Sequence, residues 1–224
     1  MSEKYTNVSI TFDLDGTLVD TAPDLVRVLN EVIAKDGLAP IPVAKVKHMI
    51  GYGSMALIRN AYQFAHRDLD PDHANDLQAL FLNLYADDIC RLSRPYPGVI
   101  QVLSHLKRSG SKLSVCTNKP GVMARPLLKE LDIDRYFDRI VGSGDIPYNK
   151  PSARHIYAAV GHRGNKPIIM VGDGAPDALA AKAAKIPSIL MNYGYSPKSV
   201  YSLGAEKVLR SFRDLPSALN ELLD

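Results

Sequence analysis

Asp13 and Asp15 stand two residues apart, directly after the apolar run Val8-Ser9-Ile10-Thr11-Phe12. Carboxylates at the end of a buried strand lose hydration unless they are paired or bound to a metal. One such carboxylate can attack as a nucleophile while the other handles a proton. The same residues also suit a tight turn, because Asp15-Gly16 is ordinary turn chemistry.

Three further clusters have similar placements. Cys116-Thr117-Asn118-Lys119-Pro120 follows the β-prone Leu113-Ser114-Val115. A hydroxyl, an amide and backbone N–H groups at a helix start suit a phosphate oxygen, and equally suit plain helix capping. Lys150, within Tyr148-Asn149-Lys150-Pro151, can offset anionic crowding beside a carboxylate and a phosphoryl group, although a loop lysine is more often simply solvated. Asp173 and Asp177 end the run Ile169-Met170-Val171-Gly172. Hard oxygen ligands in that pattern suit Mg²⁺, and Pro176 between them suits the first turn of a helix.

The elements that must carry these clusters can be read from periodicity. Strands are expected at 8–12, 112–117, 139–142, 168–171 and 188–191, with a weak one near 206–208. Helices are expected at 99–109, 122–131, 152–161, 176–185 and from Asp214 onward. Strands alternating with helices of this length imply a parallel sheet covered on both faces, with the strand C-terminal ends along one edge. Between the first strand and the rest the pattern is helical throughout. Leu25, Val28, Leu29, Val32 and Ile33 make one apolar face, closed by Gly37. Helices follow at 43–50, 54–66 and 72–90, the last with the stripe Leu77, Leu80, Phe81, Leu84 and Tyr85. Ser93-Arg94-Pro95-Tyr96-Pro97-Gly98 marks the return to the alternating pattern. The reading is an α/β fold: a Rossmann-like parallel-sheet core of residues 1–19 and 93–224, with an all-helical cap of residues 20–92 inserted.

Composition sets the outer limits. The 224 residues are 46% hydrophobic and 23% charged, as in an ordinary soluble domain. No run is long enough for a transmembrane helix, and the first residues lack the apolar stretch of a signal peptide. Cys90 and Cys116 lack metal-site spacing, so a reducing cytoplasm is expected, with both as small core residues. The net charge of +3 suits anionic small substrates and shows no concentrated basic stripe for nucleic acid. The six histidines show no ligand spacing, and Arg135 and Arg139 read as a solvated face.

Taken together and in order, the four clusters resemble the haloacid dehalogenase-like phosphohydrolases, and most closely their phosphoglycolate phosphatase branch. Phe12-Asp13-Leu14-Asp15-Gly16-Thr17-Leu18-Val19-Asp20-Thr21 matches the first motif of that family. Thr117-Asn118-Lys119-Pro120 resembles the second, Lys150-Pro151 the third, and Gly172-Asp173 with Asp177 the fourth. Tyr193-Gly194-Tyr195 is similar to the branch's segment after the last core strand. The resemblance implies that Asp13 attacks phosphorus to give an aspartyl-phosphate. It implies that Asp15 protonates the leaving alcohol and then activates water. Mg²⁺ would be held by Asp13, the backbone carbonyl of Asp15, and Asp173. Thr117 and Lys150 would bind the phosphoryl group, with Asn118 supporting them and Asp177 orienting the metal shell or Lys150. Phosphoryl transfer asks mainly for positioning and charge neutralisation, which such a set supplies.

Single residues separate the neighbouring branches. Dehalogenases and phosphonate hydrolases lack the second acid of the first motif, which Asp15 supplies here. Hexose-phosphate mutases carry a histidine where Leu25 stands. The expected activity is Mg²⁺-dependent hydrolysis of a small phosphate monoester, with 2-phosphoglycolate first. The alternatives are a sugar phosphate or nucleotide, or a catalytically weakened phosphate-binding or partner-binding protein. The last is motivated by Gly174 and Pro176, where the branch usually has Ser and Asn. The chain is expected to act as a monomer or homodimer, without nucleic acid or membrane. The cap is expected to close over the core and contribute substrate contacts. Gly51-Tyr52-Gly53-Ser54, between two cap helices, suits either the non-phosphoryl end of the substrate or a plain turn.

Overall fold

A computed structural model describes residues 5–50, 53–161 and 166–224. The chain divides into two compact units, one running to Asp20 and resuming at Pro95–Asp224, the other Thr21–Arg94.

The first unit is built on a six-stranded sheet. Its strands are β1 (Ser9–Phe12), β4 (Lys112–Pro120), β5 (Arg139–Ser143), β6 (Ile168–Gly172), β7 (Ser188–Met191) and β8 (Lys207–Leu209). Two short strands, β2 (Val19–Asp20) and β3 (Arg94–Pro95), mark where the chain leaves this unit and returns. The sheet order is β5-β4-β1-β6-β7-β8, and every pairing is parallel. All residues of β1, β6 and β7 are buried, as expected of strands covered on both faces. Helices α5 (Val99–Arg108), α6 (Gly121–Glu130), α7 (Ala153–Val160), α8 (Ala175–Ala184) and α9 (Leu215–Leu223) supply the cover. On one face Cys116, Ile168 and Met170 pack with Ile156, Ala159, Ala180 and Ala181. Elsewhere in this unit the Phe12 ring meets those of Phe137 and Phe212. Each such fully buried side chain contributes roughly 1.5–3 kcal/mol of transfer free energy.

Register turns this sheet into a platform. Phe12 pairs with Val115 on one side and Val171 on the other. The residues that follow these three, Asp13, Cys116 and Gly172, therefore stand at one level, with Thr117 and Asp173 next after them. The chain order also reverses here. After β5 the connection crosses β4 and β1 to place β6 on the far side of β1. Such a switch point is where open α/β sheets form binding crevices.

The second unit contains α1 (Ala22–Ile33), α2 (Val43–Val46), α3 (Ser54–Phe64) and α4 (Pro71–Asp87). The expected apolar face of α1 is buried in full: Leu25, Val28, Leu29, Val32 and Ile33. Asp24 is also fully buried and anchors the chain's return. One carboxylate oxygen accepts from the Leu92 and Ser93 amides and the Ser93 hydroxyl, at 2.7–2.8 Å. The other accepts from Arg27 Nε at 3.2 Å.

Several boundaries differ from expectation. The helix expected at 43–50 is a four-residue α2 followed by a 3-10 turn, Lys47–Met49. The β-branched Val43 and Val46 leave this segment little helix propensity beyond one turn. The stripe of α4 narrows to Ala74, Leu77, Phe81 and Tyr85, with Leu80 and Leu84 half-buried, and the helix ends at Asp87. The strand expected at 112–117 continues to Pro120, pairing with Ser143 of β5 after a register shift. Cys116 is buried as expected, whereas Cys90 is only half-buried; neither is in a disulfide.

Candidate active site

Three carboxylates gather where β1 and β6 end. Asp13, Asp173 and Asp177 each offer an oxygen, all within 4.8 Å of one another. Asp13 follows the last residue of β1, and its amide donates to Val171 of β6 at 2.9 Å. Its Oδ1 accepts from the Leu14 amide at 2.7 Å. Asp173 follows β6. Its Oδ1 accepts from the Thr17 hydroxyl at 2.8 Å and its Oδ2 from the Tyr195 amide at 2.6 Å. Asp177 is the third residue of α8, and its Oδ2 reaches back to the amides of Asp173 and Gly174, both at 3.1 Å. It thereby caps α8, and its other oxygen meets Lys150.

Glycine is required at Gly16 and Gly172, among other places around this cluster. At Gly16 φ is +86°, and a Cβ would lie 2.6 Å from Asp173 Oδ2. At Gly172 a Cβ would lie 2.2 Å from Asp177 Cγ. A side chain at either place would displace a carboxylate. Gly174 is different: its φ of −146° is extended, and a Cβ would meet only Pro176 Cδ, at 3.5 Å. Space is available there for a serine.

Lys150 supplies the positive centre. Its ammonium stands 2.8 Å from Asp13 Oδ1 and 2.7 Å from Asp177 Oδ1, buried to 4% exposure. Burial works against its charge, but the two carboxylates outweigh it and raise its pKa, so it stays protonated. Burial likewise pushes the Asp13 carboxyl up to about 6, even with Lys150 beside it. Asp173 is held well above the ordinary carboxylate range by burial and by the charges of Asp177 and Asp13. The cluster is short of positive charge.

Asn118 holds the Lys150 backbone. Its Oδ1 accepts from the Lys150 amide at 2.9 Å, and its Nδ2 donates to the Lys150 carbonyl at 3.1 Å. Both ends of its amide are engaged with the lysine loop. Thr117, 1% exposed, lies at the same edge, its hydroxyl accepting from the Lys119 amide at 3.1 Å. The Asp15 carboxylate points elsewhere. It meets Lys119, whose Nζ stands 3.2 and 3.4 Å from its two oxygens. The Asp15 side chain is thus outside the three-carboxylate cluster.

Four residues here carry weight that the sequence did not reveal. Thr17 and Lys119 lay inside recognised motifs, but nothing in their spacing said which acid each would meet. Tyr195 acts through its amide and, through its hydroxyl, on Asp20 Oδ1 at 2.6 Å. His155 was set aside with the other histidines. It is fully buried, with Nδ1 accepting from the Lys150 amide at 3.1 Å and Nε2 3.3 Å from the Val141 carbonyl. Burial and Lys150 push its pKa down to about 4, so the ring is neutral at pH 7.

Of the expected specificity loop, Gly51 and Tyr52 lie outside the described residues. Gly53 precedes α3 with φ of +92°, a backbone demand that accounts for glycine without a ligand. Ser54 Oγ accepts from Gln78 Nε2 at 3.0 Å, joining α3 to α4.

A cluster of hard oxygen donors beside a buried ammonium can hold a divalent cation and a phosphoryl group together, with a carboxylate positioned to attack. Residues 10–191 match the family model described as haloacid dehalogenase-like hydrolase. The chain is 42% identical over 217 residues to a phosphoglycolate phosphatase of Caulobacter vibrioides, covering 96% of this chain and 92% of the relative. It is 40% identical over 214 residues to a phosphoglycolate phosphatase of Agrobacterium fabrum, covering 95% and 92%. Its fold matches the crystal structure of a predicted phosphoglycolate phosphatase from Haemophilus somnus 129pt, with a TM-score of 0.88 and 29% identity over 98% of this chain and 99% of that one.

Proposed function

Because the chain belongs to the haloacid dehalogenase-like hydrolase family and is a phosphoric monoester hydrolase, we propose that it is a Mg²⁺-dependent phosphatase acting through an aspartyl-phosphate, with 2-phosphoglycolate as its substrate. The observation that carries this reading is the placement of Lys150 Nζ between Asp13 and Asp177, beside Asp173. The carboxylates of Asp13, Asp173 and Asp177 face the one ammonium of Lys150; with all three ionised, two negative charges are unmatched, which one divalent cation balances.

Asp13 Oδ1 lies against Lys150 and the Leu14 amide, which keeps it aimed and desolvated. We take the attack to come from this carboxylate. A P–O bond forms to Asp13, the P–O bond to the alcohol breaks, and its electron pair goes to the leaving oxygen, which takes the Asp15 proton. Asp15 then draws a proton from water, which attacks phosphorus and frees Asp13. Lys150 and Thr117 hold the phosphoryl oxygens, and Asn118 positions Lys150. Asp13, Asp173 and the Asp15 carbonyl would hold Mg²⁺, which when bound supplies charge neutralisation for those oxygens. Asp177 orients Lys150. The choice of 2-phosphoglycolate rests on the activity named for the relatives from C. vibrioides and A. fabrum. The reading of two cysteines outside any disulfide as those of a cytoplasmic protein belongs to the same proposal.

The test is a panel of small phosphate esters at equal concentration, assayed with chelator, Mg²⁺ and Ca²⁺. The expected result is preference for 2-phosphoglycolate, no turnover in chelator, recovery with Mg²⁺ and poor support by Ca²⁺, which prefers longer bonds and more ligands. Full turnover in excess chelator removes the metal, and preference for a sugar phosphate or nucleotide replaces the substrate.

A further inference from the structure

Lys119 has no place in the chemistry described above, yet it is 7% exposed and carries its charge into the same crevice. Thr117 and Lys119 are both buried on β4, while Asn118 between them turns to the Lys150 loop. The Lys119 amide is fixed on the Thr117 hydroxyl. The side chain is thereby directed from the phosphate-holding residue towards the acid that serves the leaving group.

The two buried lysines among the described residues divide the site between them. Lys150 is engaged with Asp13 and Asp177, on the phosphoryl side. Lys119 faces Asp15, with side chains 4% and 12% exposed. A leaving oxygen within hydrogen-bond reach of Asp15 brings the next atoms of the alcohol close to the Lys119 ammonium. In a low-dielectric pocket a charge on those atoms is felt strongly. Were Asp15 merely in need of orientation, a neutral donor would serve without the cost of desolvating an ammonium.

We infer that Lys119 Nζ receives a carboxylate on the leaving alcohol and so selects phosphate esters of short hydroxy acids over neutral esters. This rests on the phosphatase reading above and adds to it the residue that recognises the substrate's acid group. The lysine forms no bond in the reaction. It is a specificity residue whose ammonium passes from a shared contact with Asp15 to one that includes the substrate carboxylate.

The experiment compares 2-phosphoglycolate with ethyl phosphate, which has a methyl group in place of the carboxylate, on wild type, Lys119→Met and Lys119→Arg. Wild type is expected to favour 2-phosphoglycolate. In Lys119→Met its kcat/KM should fall about 100-fold, while that for ethyl phosphate falls less than about fivefold, consistent with loss of one buried charged hydrogen bond. Lys119→Arg should retain part of the preference. Turnover of ethyl phosphate by the variants reports that they fold. As a measurement independent of any variant, free glycolate should compete with ethyl phosphate on wild type where glycolamide does not. Equal loss on both esters makes Lys119 a support for Asp15 alone and overturns the inference, as does loss on neither, or equal inhibition by glycolate and glycolamide. Equal use of both esters by wild type also overturns it and leaves the phosphatase standing. Turnover of neither ester removes the phosphatase reading itself, and this inference with it.

Discussion

The Thr17 hydroxyl donates to Asp173 Oδ1 at 2.8 Å, tying the turn after β1 to the end of β6. Tyr193 OH in turn donates to the Thr17 carbonyl at 2.9 Å. Groups that orient a metal-binding carboxylate commonly contribute 10–100-fold to affinity. Thr17→Val keeps the shape and deletes the donor. Mg²⁺ affinity, read by calorimetric titration, should weaken by about 10–100-fold, with most of kcat restored at saturating metal. Unchanged affinity would mean that the Tyr195 amide alone fixes Asp173.

Much of this arrangement was legible in the sequence, for identifiable reasons. The central strands are short apolar runs ended by acids, so β1, β6 and β7 and the acids after β1 and β6 were found together. The α1 face was found because its period is helical over a full twelve residues. Contacts between distant residues leave no such trace. Thr17 with Asp173, Lys119 with Asp15, and His155 with Lys150 depend on sheet register and loop paths. Lys119 falls outside the strand expected at 112–117, although β4 runs through it to Pro120. The two-residue strands β2 and β3 are too short for any period to show.

His155 gives the core a pH signature. Its folded pKa is pushed down to about 4 from an ordinary value near 6.5. As pH falls through that window the unfolded chain takes up the proton and the fold does not, so stability is lost from about 6.5 down to about 4. The full effect is roughly 3 kcal/mol. His155→Asn keeps an acceptor for the Lys150 amide and removes the titration. The difference in melting temperature between the two proteins should therefore shift in favour of the variant on acidification. Parallel curves would show that His155 does not carry this loss.

The helical unit holds a titrating cluster of opposite sense. Asp36 accepts from the Tyr62 hydroxyl and lies 2.6 Å from His73 Nε2. These hydrogen bonds, Tyr62 first, hold the Asp36 pKa below its usual value, and the bond to Asp36 raises that of His73. The His73 contribution is complete below the ordinary histidine value and is lost as pH rises through the raised one. The Asp36 contribution is complete above the ordinary carboxylate value and is lost as pH falls through the lowered one. The cluster therefore stabilises most between about pH 4 and 6.5. His73→Ala should lower the melting temperature at pH 6 and matter much less at pH 9. An equal deficit at both values would assign the effect to packing.

The account turns on Asp13 becoming covalently bound to phosphorus. Enzyme mixed with substrate and Mg²⁺ should be acid-quenched within a turnover, reduced with borohydride and sequenced by mass spectrometry. An acyl phosphate is reduced to the alcohol, so residue 13 should be recovered in part as homoserine, with Asp15, Asp173 and Asp177 intact and no conversion when substrate is omitted. Turnover with residue 13 always recovered as aspartate, or with the label on another carboxylate, would contradict the assignment of Asp13 as the nucleophile.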